Sequence, residues 1–151
     1  MSSRVIHIIC DNLRSLYNVG SIFRTSDAFG VAKIWLCGIT GTPEQSGLAK
    51  VSLGAEHSVS WEYTSQTWRV AEALKKQGFE IVALEQSTHS TPLDQYRPHF
   101  PLALVLGNEV DGVSDSVLRR ADAIVDIPML GSKESLNVSV AAGIALYGLR
   151  H

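Results

Sequence analysis

Three short segments gather the side chains of this chain that could do chemistry. They are Asn18-Val-Gly-Ser-Ile-Phe-Arg24, Leu106-Gly-Asn-Glu-Val-Asp-Gly112 and Ile127-Pro-Met-Leu-Gly-Ser-Lys-Glu-Ser-Leu-Asn137. Each sets glycine or serine beside a polar group after a run of aliphatic or β-branched residues. The polar groups are a guanidinium, a carboxylate, hydroxyls and amides, which can hold and orient a polar ligand. Glycines let a backbone approach that ligand closely. In open α/β sheets, ligands bind outside the carboxyl ends of strands, where such segments fall. The pattern points to an enzyme or a nucleotide-type binder.

The rest of the sequence narrows the choice. At 151 residues one domain spanning 1–151 is expected. An apolar content of 45% suits a soluble globular core. No apolar run approaches the roughly 18 residues of a membrane helix, and the opening residues read as a first strand rather than a leader. A cytoplasmic location is expected. His7, His57, His89, His99 and His151 show no ligand-like spacing with a cysteine or with one another, so no metal site is expected. Cys10 and Cys37 read as buried free thiols. A net charge of -2 argues against a protein that coats nucleic acid, although Arg4, Arg14, Arg24, Lys33 and Lys50 fall early in the chain.

The elements that must position the three segments follow from periodicity. Strands are expected at Val5–Cys10, Lys33–Cys37, Val59–Tyr63, Glu80–Leu84, Leu102–Leu106 and Ala123–Ile127. Between them lie helices: one capped by Asn18 and running to Phe29, with Gly30 as its stop; one capped by Thr64 or Ser65 and running to Lys76; and one from Ser114 to Arg120. Gly38 to Lys50 reads as a loop with one short helix, and Thr91-Pro92 opens a turn. Arg24 is displaced about 100° from Phe23, so it points away from the inner face. Strands alternating with helices predict an α/β domain with a mostly parallel sheet. The last helix, about Leu136 to Leu149, is apolar nearly all round, which predicts a homodimer that covers the part its own chain leaves open.

Together the three segments resemble the SpoU/TrmH family of RNA ribose methyltransferases, of the SPOUT class. The resemblance runs from Asn12 to Tyr147, through Asn18 to Gly30, Leu104 to Ser114 and Ile127 to Ala141. It implies an α/β fold with a C-terminal trefoil knot, S-adenosylmethionine as cofactor, an obligate dimer and methyl transfer to a ribose 2′-hydroxyl of RNA. It implies that Leu84, Leu106, Gly107, Ile127, Met129, Ser135 and Leu136 line the cofactor site. Arg24 is then the main catalytic candidate, with Asn18, Glu109, Ser135 and Asn137 around it. Two roles for Arg24 stay open: a base on the ribose hydroxyl, or a permanent cation that clamps phosphate and steadies the developing alkoxide. Glu109 is expected to orient Arg24 or Asn18, and Ser135 or Asn137 to cap the last helix.

The short chain favours tRNA over ribosomal RNA as partner. The alternatives are an RNA-binding member of the fold that does not catalyse, and a small-molecule enzyme with a nucleotide cofactor. The second lacks both a Gly-x-Gly-x-x-Gly after the first strand and a P-loop lysine.

Overall fold

The computed structural model describes residues 4–151, so the reading of the opening residues falls partly outside the described ones. Seven strands form one sheet: β1 (Ile6–Asp11), β2 (Lys33–Cys37), β3 (Ser60–Thr64), β4 (Glu80–Leu84), β5 (Thr91–Pro92), β6 (Leu102–Leu106) and β7 (Ala123–Asp126). Their order is β3-β2-β1-β6-β4-β7-β5. Every neighbouring pair is parallel. The chain builds outward from β1 to β3, crosses to β4, and then inserts β6 between β1 and β4. The strand order therefore reverses beside β1 and β6, where open α/β sheets form a crevice at the carboxyl ends.

Burial explains why β6 takes the centre. Leu102, Ala103, Leu104, Val105 and Leu106 are fully buried, so both faces of the strand are covered. One face packs on α1 (Leu16–Ala28), α2 (Ser46–Ser52) and α5 (Val138–Arg150), through Val19, Ile22, Phe23, Leu48, Ala145 and Leu146. The other packs on α3 (Thr67–Lys76) and α4 (Asp115–Leu118), through Val70, Leu74, Val113 and Val117. Cys10 and Cys37 are free and buried, and burial pushes the Cys37 thiol up to about 12.

Several helix starts differ from the sequence expectation. Asn18 does not cap α1. Ser15 does, its Oγ accepting the Asn18 N–H at 3.1 Å, which leaves the Asn18 side chain for another partner. The residue at the α3 cap is Gln66 rather than Thr64 or Ser65, and no side chain bonds there. The Ser114 side chain does not cap α4, which ends at Leu118. The final helix starts two residues later than expected, at Val138, with Asn137 as its cap. At α1 and α3 a hydroxyl or amide near the right place misled, because which one turns back onto the helix depends on the entering chain, whereas Ser114 and Asn137 stand at the cap positions expected of them.

Helix α5 divides cleanly. Ala142, Ala145, Leu146 and Leu149 face the core. Val140, Ile144 and Tyr147, at 50%, 41% and 59% exposure, form a second stripe left part-open among the described residues, with Tyr147 against Phe29 and His151. Arg150 ties the helix end down: its Nε and Nη2 donate to the Phe29 and Gly30 carbonyls at 2.9 Å each.

Helices α1 and α2 touch through Gly20. A Cβ there would stand 2.8 Å from both the Leu48 carbonyl oxygen and Val51 Cβ. Backbone cannot yield as a side chain does. Gly20→Ala is therefore expected to cost about 1–3 kcal/mol of stability, the range for overpacking. Urea unfolding measures it; a loss below about 0.5 kcal/mol would contradict this packing.

Candidate functional site

The loop after β6 is drawn tight by its own side chains. Asn108 Oδ1 accepts the N–H groups of Val110 and Asp111 at 2.8 and 2.9 Å. Asn108 and Gly112 exchange backbone bonds of 3.0 and 2.9 Å. The Val113 N–H donates to Glu85 Oε2, just beyond β4, at 2.7 Å. Gly107 is the residue the loop closes over: a Cβ there would sit 2.3 Å from Val113 N and 2.4 Å from the Gly112 carbonyl carbon. No L side chain fits without opening the loop.

Glu109 reaches from this loop to the start of α1. Its Oε1 accepts the Arg14 N–H at 2.9 Å; its Oε2 accepts the Ser15 N–H at 3.1 Å and the Asn18 side-chain amide at 3.0 Å. A carboxylate at a helix N-terminus also meets the positive end of the dipole. Desolvation pushes the Glu109 carboxyl up, but the bonds from Arg14, Asn18 and Ser15 outweigh it and hold it below the usual range. Of the two partners expected for Glu109, the structure supplies Asn18.

A cleft of about 420 Å³ opens at the carboxyl ends of β4, β6 and β7. Leu84, Leu106, Gly107, Ile127, Met129, Ser135 and Leu136 all line it, as do Glu109 and Asn137. The lining also holds Glu85, Asp126 and Glu134, so four carboxylates with Glu109 face a cleft that has no lysine, arginine or histidine in its wall. Such a wall repels phosphate and favours a ligand of net positive charge. The apolar residues beside the carboxylates give it a surface for a ring.

One predicted residue has another engagement. Asn137 Oδ1 accepts the Ser139 N–H at 2.8 Å, and the Ser139 hydroxyl donates to it at 2.6 Å, so this side chain caps α5. Ser135 lines the cleft but does not cap the helix. Arg24 is exposed on α1 and does not line the cleft; among the described residues its guanidinium makes no hydrogen bond or ion pair. The structure thus joins Asn18 to Glu109, gathers Glu109, Ser135 and Asn137 at one cleft, and leaves Arg24 outside it in a single subunit.

Glu85 and Asp126 lie outside the segments expected to form the site, and Asn108 and Glu134 lie inside them without an expected role. Glu85 and Asp126 carried a usable signal, since each stands at the carboxyl end of an apolar strand. Among the described residues no helix is long and apolar enough to cross a membrane, and no group of three or more His, Cys, Asp or Glu could hold a metal ion.

The model of the SpoU rRNA Methylase family matches residues 5–147. A tRNA (guanosine(18)-2′-O)-methyltransferase of Aquifex aeolicus is 35% identical over 144 residues, covering 93% of this chain and 66% of that protein. A 23S rRNA (guanosine-2′-O-)-methyltransferase of Neisseria meningitidis is 34% identical over 152 residues, covering 97% of this chain and 58% of that one. Among the first curated relatives the chain spans 56% to 66% of their length. The crystal structure of the Aquifex aeolicus TrmH/SpoU tRNA modifying enzyme superposes with a TM-score of 0.89 at 32% identity, over 98% of this chain and 75% of that one. An AdoMet-bound rRNA methyltransferase of Sinorhizobium meliloti gives 0.90 at 26% identity, over 99% and 57%.

Removing the Glu109 carboxylate takes away an acceptor shared by three donors. Glu109→Ala is expected to lower stability at neutral pH by about 1 kcal/mol, the solvent exposure of the group holding it near the low end for a cap. Because the folded-state pKa is depressed, this contribution is complete above the unfolded value of about 4.3 and fades as pH falls through the folded value. Urea unfolding of both proteins at pH 7 and pH 3 checks it. A wild-type advantage that grows in acid would contradict the assignment.

Proposed function

The chain belongs to the SpoU rRNA Methylase family, and from that membership we propose that it transfers a methyl group from S-adenosylmethionine to a ribose 2′-hydroxyl of RNA. The observation that carries the reading is the cleft at the ends of β4, β6 and β7, with four carboxylates, an apolar floor and no basic residue in its wall. S-adenosylmethionine carries a sulfonium, an ammonium and one carboxylate, so its net charge suits such a wall; a phosphate-bearing dinucleotide does not.

When bound, the cofactor supplies an electrophilic methyl group for in-line displacement by an oxygen nucleophile. This chain's residues do the rest. Gly107 brings backbone against the ligand, Leu84, Leu106, Ile127, Met129 and Leu136 wall its ring, and Ser135 offers a hydroxyl at the rim. Most of the rate enhancement then comes from holding the acceptor and donor in line. Glu109 acts as a positioning residue: both its oxygens are occupied by Arg14, Ser15 and Asn18, which fixes the start of α1 against the cleft.

Arg24 serves as a cation. A guanidinium keeps its proton at neutral pH, so we assign it to clamping an RNA phosphate and stabilising the developing alkoxide, with the hydroxyl proton passing to solvent water rather than to Arg24. Its position outside the cleft of its own subunit favours delivery across a homodimer. The part-open Val140, Ile144 and Tyr147 stripe supports that dimer, because it adjoins α1, where Thr25 Cγ2 would lie 3.5 Å from a Cβ on Gly143. The trefoil knot belongs to the same proposal: the chain between β7 and α5 lines the same cleft as the loop after β6, so these segments fold across neighbouring strand ends. The relatives include a tRNA enzyme and a 23S rRNA enzyme at 35% and 34% identity, so the test offers both RNA classes, with tRNA the one we propose.

Labelled S-adenosylmethionine should deliver methyl to ribose in RNA from a strain lacking the protein. Arg24→Ala should reduce the rate by roughly 10²–10³-fold, the cost of one oxyanion donor. Arg24→Lys should recover part of it across neutral pH, since a lysine still places a charge there. Wild-type activity in Arg24→Ala would remove Arg24 from the mechanism, and label on a base instead of ribose would overturn the reaction.

A further inference from the structure

A second cavity, of about 440 Å³, adjoins the cofactor cleft and shares Asn108 and Gly112 with it. It lies at the carboxyl ends of β1 and β2 and is lined by Asp11, Asn12, Arg14, Ile39 and Asp111. Its floor is already committed. Asp11 accepts the Thr67 hydroxyl at 2.6 Å and the Ser114 N–H at 2.8 Å. Asn12 Oδ1 accepts the Ile39 N–H at 3.0 Å, its Nδ2 donates to Asp11 at 3.2 Å, and its carbonyl accepts Asn108 Nδ2 at 2.7 Å. A ligand entering this space finds little to bond on the floor.

The walls differ. Arg14 and Asp111 are both exposed, and among the described residues neither the guanidinium nor the carboxylate makes a hydrogen bond or ion pair. Opposite charges thus line one cavity without neutralising each other. The hydrogen bond of Asp111 to Asn108 uses its backbone N–H, so the carboxylate is free while its backbone is fixed. Beside them Ile39 keeps 63% of its surface exposed and offers an apolar plane for a base to lie on.

We propose that this cavity receives the base of the methylated nucleotide and that Asp111 and Arg14 select guanine. The inference rests on the methyltransferase reading above. An unpaired base can be read on both its Watson–Crick and Hoogsteen edges. Guanine alone has two adjacent N–H donors, on N1 and N2, for a carboxylate to accept together, and two adjacent acceptors, O6 and N7, which an arginine meets with both its arms. The cavity shares Asn108 and Gly112 with the cofactor cleft, so a base seated there lies next to the cofactor space. Asp111 does not line the cofactor cleft, so its effect should separate from cofactor binding.

The test is methyl transfer from labelled S-adenosylmethionine to RNA from a strain lacking the protein, followed by digestion to nucleosides. The label is expected in 2′-O-methylguanosine. Asp111→Asn is expected to lose roughly ten- to hundredfold in kcat/KM, as for one lost bidentate base contact, and Arg14→Gln to lose in the same direction. Affinity for S-adenosylmethionine, read by calorimetry, should be unchanged in both, which also shows that the variants fold. Label in adenosine or a pyrimidine nucleoside overturns the inference and leaves the methyltransferase reading standing. So does label in guanosine that both variants retain at wild-type kcat/KM. Cofactor binding with no label in any RNA overturns the methyltransferase reading, and this inference with it.

Discussion

One carboxylate holds the two halves of the site in register. Glu109 stands in the loop after β6, and the groups it binds, Arg14, Ser15 and Asn18, begin α1 more than 90 residues earlier. The sheet makes that meeting possible by inserting β6 beside β1. The loop makes it stable by bonding Asn108 to Val110, Asp111 and Gly112. Gly107 is the steric condition for the closed loop, since the backbone of Gly112 and Val113 occupies the space of its missing Cβ. Two motifs that read as separate binding segments are therefore one construction, in which a helix start and a ligand loop fix each other.

Charge then divides the neighbouring spaces by function. The cleft at β4, β6 and β7 has carboxylates as its charged lining, while in the adjoining cavity at β1 and β2 Arg14 and Asp111 make no side-chain hydrogen bond or ion pair among the described residues. A low-dielectric wall sharpens such differences. The first space suits a compact cationic ligand, and the second a base with donors and acceptors on its edges. Arg24 lines neither space.

Much of the frame was legible because burial writes itself plainly into sequence. The strands Lys33–Cys37, Glu80–Leu84 and Leu102–Leu106 have the bounds that their apolar runs predict. The seven residues expected around the cofactor all border one cleft, since each sits at a strand end or in the loop before α5. Helix caps were less legible: Asn18 and Thr64 were both chemically suitable, but Ser15 is placed to bond the start of α1 and Gln66 holds the α3 position without a bond. Long-range partners were least legible. Nothing near Glu109 in the sequence announces Arg14 and Ser15 N–H groups, and nothing near Glu85 announces Val113, because these contacts come from strand order rather than from local pattern. The α5 pattern foretold an apolar surface all round; only the structure separates the stripe facing the core from the one left part-open.

The central claim is that the cleft closed by Gly107 takes S-adenosylmethionine and rejects phosphate-bearing cofactors. Calorimetric titration tests it most directly, with S-adenosylmethionine and a nicotinamide dinucleotide offered separately to the wild type and to Gly107→Ala. Saturable binding of S-adenosylmethionine is expected, lost in Gly107→Ala, with no binding of the dinucleotide. Binding of the dinucleotide in place of S-adenosylmethionine would contradict it.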